Sequence, residues 1–255
     1  MSDIYKAPEA QLTEAPSTEG YGSLERGVTG QFQFFINDIL NEAWAKTKGN
    51  KLTVFLAAIL YLVVVLPVTF LVPVVLGALG FATELVPGEP IASDVIVGAF
   101  LNQVIVTVVS LPLGAGLFMM GLKMAAGVAV SPTEVVSYFH KTLPLAITAL
   151  IMYIMIAIGL ILLVLPGIYL MVAYYLAVPL VVEKGLSPWQ ALEASRKAVS
   201  KCWFRFVGLG LLVWIIVVIS VIPLFIGLIW TVPLMLIAFG VVYRNIFGIE
   251  AANAA

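Results

Sequence analysis

Charge is what this sequence has least of. Asp, Glu, Lys and Arg together make up 11% of the 255 residues, whereas a soluble domain carries about 25%. A chain so poor in charge cannot present a water-facing surface over most of its length. Cysteine is almost absent as well: the single Cys202 excludes an intrachain disulfide and any cysteine metal cluster. The lone histidine, His140, further restricts metal and triad chemistry, and no metal ligand set or cofactor site is expected. Net charge is -1, so bulk electrostatics predict no nucleic-acid partner. No secretory signal peptide is expected either, because residues 1–30 lack an apolar core and the first long apolar run begins at Leu52.

What the sequence holds is apolar length. Hydrophobic residues account for 62% of the chain and mean hydropathy is +1.11. That is room for six or seven spans of about 20 residues each, joined by short links. The reading is an all-α integral membrane protein. Residues 1–30 form a cytoplasmic tail too polar and too rich in Pro, Glu, Ser and Thr to offset ordering entropy. Residues 31–250 form the membrane domain, with spans at about 52–80, 95–122, 143–165, 167–183, 204–222 and 224–243. Pro67 and Pro73 interrupt the first span and predict a bend.

Three stretches break the apolar pattern with helical amphipathicity: about 31–50, 132–142 and 187–203. In the first, Phe32, Phe35, Ile36, Ile39, Leu40, Ala43 and Trp44 recur on one side, with Gln33, Asn37, Asp38, Asn41 and Glu42 opposite. The other two open alike. Ser131-Pro132-Thr133-Glu134 and Ser187-Pro188-Trp189-Gln190 each supply an N-cap hydroxyl, a first-position proline and a third-position acid or amide. Such helices suit the headgroup boundary.

The spacing repeats. The two capping signatures are 56 residues apart (131 to 187), and the turn prolines Pro166 and Pro223 are 57 apart. Each unit is then a surface helix, a span, a proline turn and a second span. Gln31–Asn50 heads a more divergent first unit whose turn is replaced by an acidic loop with Glu84, Glu89 and Asp94. Two spans per unit make the units parallel, with the helices preceding them on one face. With this arrangement all 13 Lys and Arg fall on the side of the tail and surface helices. The positive-inside rule puts that side, and both termini, in the cytoplasm.

The segment PGIYLMVAYYLAVPLVVEKGLSPWQALEASRKAVSKCWFRF resembles the YciC-like family of bacterial inner-membrane proteins and the membrane domain fused to some glycerophosphodiester phosphodiesterases. The matching features are Pro166-Gly167-Ile168, the exit from Pro179 to Glu183, Ser187-Pro188, and Ala191-Leu192 with Ser195. YGSLERG (21–27) and ILNEAWAKTKGNK (39–51) look like one branch of that group. The resemblance implies fold and inner-membrane location. It carries no catalytic residue, because the phosphodiesterase chemistry belongs to a separate soluble domain.

Two sets of residues are functional candidates. Lys46, Lys48, Lys51, Arg196, Lys197, Lys201 and Arg205 are cations on or beside amphipathic helices, suited to anionic lipid or a partner. Asn102, Gln103, Thr107 and Ser110 are the main polar content of any span. They read as hydrogen-bonding glue between helices, with a polar pathway or ligand site as the sharper alternative. The expected function is that of a non-enzymatic scaffold or accessory subunit contacting membrane lipids, anionic ones first, or a membrane-protein partner. The competing reading is a permease or channel for a lipidic or small neutral substrate. An enzyme is disfavoured: Glu84, Glu89 and Asp94 are acids without an accompanying histidine or cysteine.

Overall fold

A computed structural model of the chain describes residues 21–81 and 93–250. The expected tail over 1–20, and Glu84 and Glu89 of the acidic loop, lie outside the described residues. The described residues are helical throughout, without strands: α1 (Leu24–Thr29), α2 (Ile36–Thr47), α3 (Lys51–Ala78), α4 (Ser93–Ala125), two short 3-10 turns (Pro132–Val136 and Phe139–Lys141), α5 (Thr142–Leu162), α6 (Val164–Ala173), α7 (Ala177–Glu183), α8 (Pro188–Lys201), α9 (Trp203–Val221) and α10 (Leu228–Phe247). Six stretches are long and apolar enough to cross a membrane: Lys51–Ala78, Ser93–Ala125, Pro132–Leu162, Val164–Glu183, Trp203–Val221 and Leu228–Phe247. The chain is a multi-pass membrane protein.

Burial ranks the spans. The most apolar window of α10 is 67% buried, that of α3 only 6%. α10 is therefore the central post and α3 a lipid-facing outer helix, which its unbroken apolar sequence allows. The tightest crossing joins α10 to α4. A Cβ added at Gly240 would lie 2.4 Å from the Gly121 carbonyl oxygen, and one at Gly121 would lie 2.3 Å from that of Leu236. Lipid tails are as apolar as leucine, so close van der Waals approach of this kind is a main source of helix attraction in a bilayer.

Several boundaries differ from the sequence reading. Residues 21–30, read as tail, are ordered: Ser23 caps α1 by accepting from the Arg26 N–H at 3.2 Å, and α1 packs on α8 and α10. The amphipathic stretch at 132–142 is two 3-10 turns, not an α-helix. Its backbone is pressed against α4, where a Cβ on Gly116 would come within 2.4 Å of the Val135 carbonyl oxygen. Both capping acceptors nevertheless act as the sequence suggests. Glu134 Oε1 accepts from Ser131 N at 3.4 Å and Gln190 Oε1 from Ser187 N at 3.3 Å.

The break expected at Pro166-Gly167 comes earlier, at Leu163, which is extended (φ -158°, ψ 129°). Pro166 sits inside the first turn of α6, where a missing N–H is tolerated. The second turn is longer than expected: Leu224 and Phe225 take positive φ (54° and 66°), and α10 begins at Leu228, not at about 224.

The span read as 167–183 is broken into α6 and α7 at Tyr174–Leu176. Pro179 explains the break, because it cannot donate to the Tyr175 carbonyl four residues back and its ring crowds that carbonyl. Exposed backbone groups are costly in lipid. Ser195 of α8, fully buried, repairs the gap: its Oγ donates to the Ala173 carbonyl at 2.7 Å and accepts from the Leu176 N–H at 3.2 Å. Ser195→Ala should therefore leave two buried groups unpaired and cost about 1–3 kcal/mol. Thermal unfolding in detergent, compared with Ser200→Ala on the exposed side of α8, measures the difference.

Candidate functional site

Most of the charged groups among the described residues lie at one end of the bundle, around Arg244 in the last turn of α10. Its side chain is 8% exposed. The guanidinium donates to Glu42 Oε1 at 2.7 Å and Oε2 at 2.8 Å, to the Ala125 carbonyl at 2.6 Å, and to Asn245 Oδ1 at 3.0 Å. Its Cζ lies over the Tyr21 ring, 4.6 Å from the ring centre. Lys46 bridges to Glu42 at 3.2 Å and also donates to the Ala125 carbonyl. Ala125 ends α4, so two cations meet the negative end of that helix. Burial pushes the Glu42 carboxyl up, but hydrogen bonds and charge from Arg244 and Lys46 outweigh it and hold it below the usual carboxylate range.

A second carboxylate, this one buried, lies nearby in the fold. Glu183, 4% exposed, accepts from the Tyr243 hydroxyl at 2.9 Å and the Glu250 N–H at 2.7 Å, with Lys184 at 3.3 Å. Lys123 at the end of α4 pairs with Glu134 at 3.0 Å.

The seven candidate cations divide sharply. Lys46 is consumed by Glu42 and Ala125. Lys51 lies over the Trp230 ring at 4.9 Å. Arg196 makes a two-pronged contact to Glu193 at 2.8 and 2.9 Å, and Lys197 reaches the same carboxylate at 3.4 Å. The hydrogen bond from Arg196 holds the Glu193 carboxyl below its ordinary value. Lys48, Lys201 and Arg205 are exposed and carry no ion pair among the described residues. Cys202, between α8 and α9, is buried, and burial pushes its thiol up to about 11, which suits packing and not nucleophilic work.

The polar residues of α4 also divide. Gln103, Thr107 and Ser110 line a lateral cavity of about 320 Å³ with Tyr153 of α5 and Val178 of α7. It adjoins a more apolar one of about 510 Å³ that shares Gln103, Thr107 and Tyr153. Gln103 Nε2 donates to Thr107 Oγ1 at 3.0 Å, one turn along the same helix. Asn102 does not line either cavity, being rotated about 100° from Gln103, and its buried Oδ1 has no hydrogen-bond partner. Gln103, Thr107 and Ser110 therefore face a lateral groove, whereas α4 meets α10 further along the helix, at Gly121.

Sequence reasoning missed Arg244, Glu42, Glu183 and Ser195. Arg244 had one available signal: it is the sole cation after Arg205, directly following twenty apolar or small residues. Comparison of the chain with family models, curated proteins and solved structures found no match.

Glu42→Gln should cost about 2–3 kcal/mol. That is less than the 3–5 kcal/mol for breaking a fully buried pair, because the Glu42 side chain is 32% exposed and partly screened. The folded carboxyl titrates below its unfolded value, so its contribution is fully present above the ordinary carboxylate range and lost as pH falls through the folded pKa. A melting-temperature series from neutral to acid pH should fall less steeply in Glu42→Gln than in the parent chain.

Proposed function

We propose that this chain is a non-enzymatic scaffold or accessory protein of a bacterial cytoplasmic membrane, related to the YciC-like proteins, that engages anionic lipid and a membrane-protein partner through its basic end. The observation carrying this reading is the distribution of cations. The chain has 13 Lys and Arg; Lys6 lies outside the described residues, and the other twelve stand on α1, on α8, or on helix ends and links joined to these by the Arg244, Glu183 and Ser195 contacts. By the positive-inside rule that end faces the cytoplasm, with both termini. The arrangement of the units supports the reading further. Each of the three pairs of spans follows a polar segment at that end, in keeping with parallel repeats whose amphipathic helices brace the spans from the cytoplasmic face.

Arg26, Lys48, Lys201 and Arg205 do the recognising, since they are exposed and no carboxylate among the described residues neutralises them. Each cation near an anionic surface is worth about 1 kcal/mol, roughly a fivefold preference. The test uses reconstituted protein and tryptophan quenching by brominated lipid, read as the preference for phosphatidylglycerol over phosphatidylcholine. The triple variant Lys48→Gln/Lys201→Gln/Arg205→Gln should lose most of that preference, and high salt should weaken it in the parent chain. An unchanged preference would count against the proposal.

The groove of Gln103, Thr107, Ser110 and Tyr153 favours a second reading, a permeation path for a lipidic or small neutral substrate. Here Gln103→Leu should slow the flux of a fluorescent lipid across proteoliposomes. No flux above protein-free vesicles in the parent chain would remove this reading.

A further inference from the structure

Residues 21–33 wrap the end of α10 and enclose a cavity with it. Gly22 lies so close to that end that a Cβ there would come within 2.2 Å of the Ile246 carbonyl oxygen, and the Gly22 N–H donates to the Arg244 carbonyl at 3.1 Å. α1 then ends at Gly30, whose φ of 86° turns the chain back, and the Gln31 N–H donates to the Arg26 carbonyl at 2.8 Å. The result is a cavity of about 500 Å³ lined by Arg26, Gly30, Gln31, Phe32, Gln33 and Asn245. Its lining is polar, unlike the cavities among the spans. Lys201 of α8 packs along Gly30 at its edge, where a Cβ would meet the lysine Cγ at 3.0 Å.

The donors outnumber the acceptors in this cavity. Arg26 spends one guanidinium nitrogen on the Tyr21 carbonyl at 3.3 Å and has no carboxylate partner among the described residues. Asn245 gives its Oδ1 to Arg244, which leaves its amide nitrogen as the end free to donate. Gln31 and Gln33 are exposed and add two further amides. A planar guanidinium with neutral amide donors matches the oxygen atoms of a phosphate group.

We propose that this cavity is a binding site for a phosphate group, with Arg26 as the anchoring cation, Lys201 as a second charge at the rim, and Gln31, Gln33 and Asn245 as neutral donors. It rests on the reading of the basic end given above and narrows it to one discrete site. The phosphate belongs either to an anionic lipid headgroup or to a free anion, since both offer the same oxygens.

The experiment uses the full chain in nanodiscs of phosphatidylcholine with a minority of phosphatidylglycerol. Native mass spectrometry counts the phosphatidylglycerol molecules retained, and calorimetry in detergent measures binding of inorganic phosphate. Arg26→Gln and Gln33→Leu should each lower the occupancy of one tightly held phosphatidylglycerol, Arg26→Gln by about tenfold, while Arg26→Lys retains part of it. Gln33→Leu alters no charge, so it tests the cavity even where an Arg26 variant folds poorly. Retention of no phosphatidylglycerol, with phosphate binding that Arg26→Gln abolishes, supports the free anion as ligand while the lipid reading of the basic end fails. Retention that is indifferent to Arg26→Gln and Gln33→Leu but falls with Lys48→Gln/Arg205→Gln overturns the site and leaves the broader lipid reading standing. Absence of both lipid retention and phosphate binding overturns the site outright.

Discussion

A single guanidinium holds the polar end of this molecule together. Arg244 sits where α10 leaves the apolar layer, nearly removed from water, and a charge so placed must find partners nearby. It finds both oxygens of Glu42, the last carbonyl of α4, the side chain of Asn245 and the face of Tyr21. Those partners belong to four segments far apart in sequence. Lysine would not serve, because one ammonium cannot make a planar fork to a carboxylate and stack on a ring at once. The cost of burying the charge is offset only while all of these contacts persist, so the site specifies how α2, α4, α10 and the residues before α1 meet.

The positions of the other helices follow. α10 is buried on most sides and meets α4 through Gly121 and Gly240. One turn further along, Arg244 ties the same two spans through the Ala125 carbonyl, so they have little freedom to slide there. The amphipathic helices then do more than float among headgroups. α2 reaches inward with Glu42 and Lys46, and α8 reaches inward with Ser195 to close the backbone gap before α7. A polar side chain that completes another element's hydrogen bonding in a lipid environment is a structural part.

Much of this was legible from residues alone. Apolar run length located all six spans, because the membrane demands about 20 apolar residues and no other solvent does. The capping signatures at Ser131 and Ser187 marked true starts of helical segments, since their chemistry is local. What could not be read depends on partners distant in sequence. Ser195 looked like one more position on an amphipathic face, since its role exists only because Pro179 opens α6 to α7 some twenty residues away. Glu42 looked like a solvated acid, and nothing local announces that Arg244, 202 residues later, lies against it. The 3-10 form of Pro132–Lys141 is set by contact with α4 and not by propensity. On the site side, the cationic helices were legible as a class, but not which cations the fold would consume internally.

That division bears on where recognition energy resides. Lys46, Arg196, Lys197 and Arg244 are committed to carboxylates, so they steady the structure and offer little to a ligand. Arg26, Lys48, Lys201 and Arg205 are not so committed among the described residues, and each is worth about 1 kcal/mol beside an anionic surface. The groove on α4 offers less. A hydrogen bond between side chains within a bilayer contributes about 0.6 kcal/mol on average, and Gln103 has already turned its amide to Thr107. A few such groups cannot match four uncompensated cations. The balance of magnitudes therefore favours the basic end as the recognition surface. It leaves the groove suited to an apolar chain, one that asks little of Gln103 and fills the space beside Tyr153.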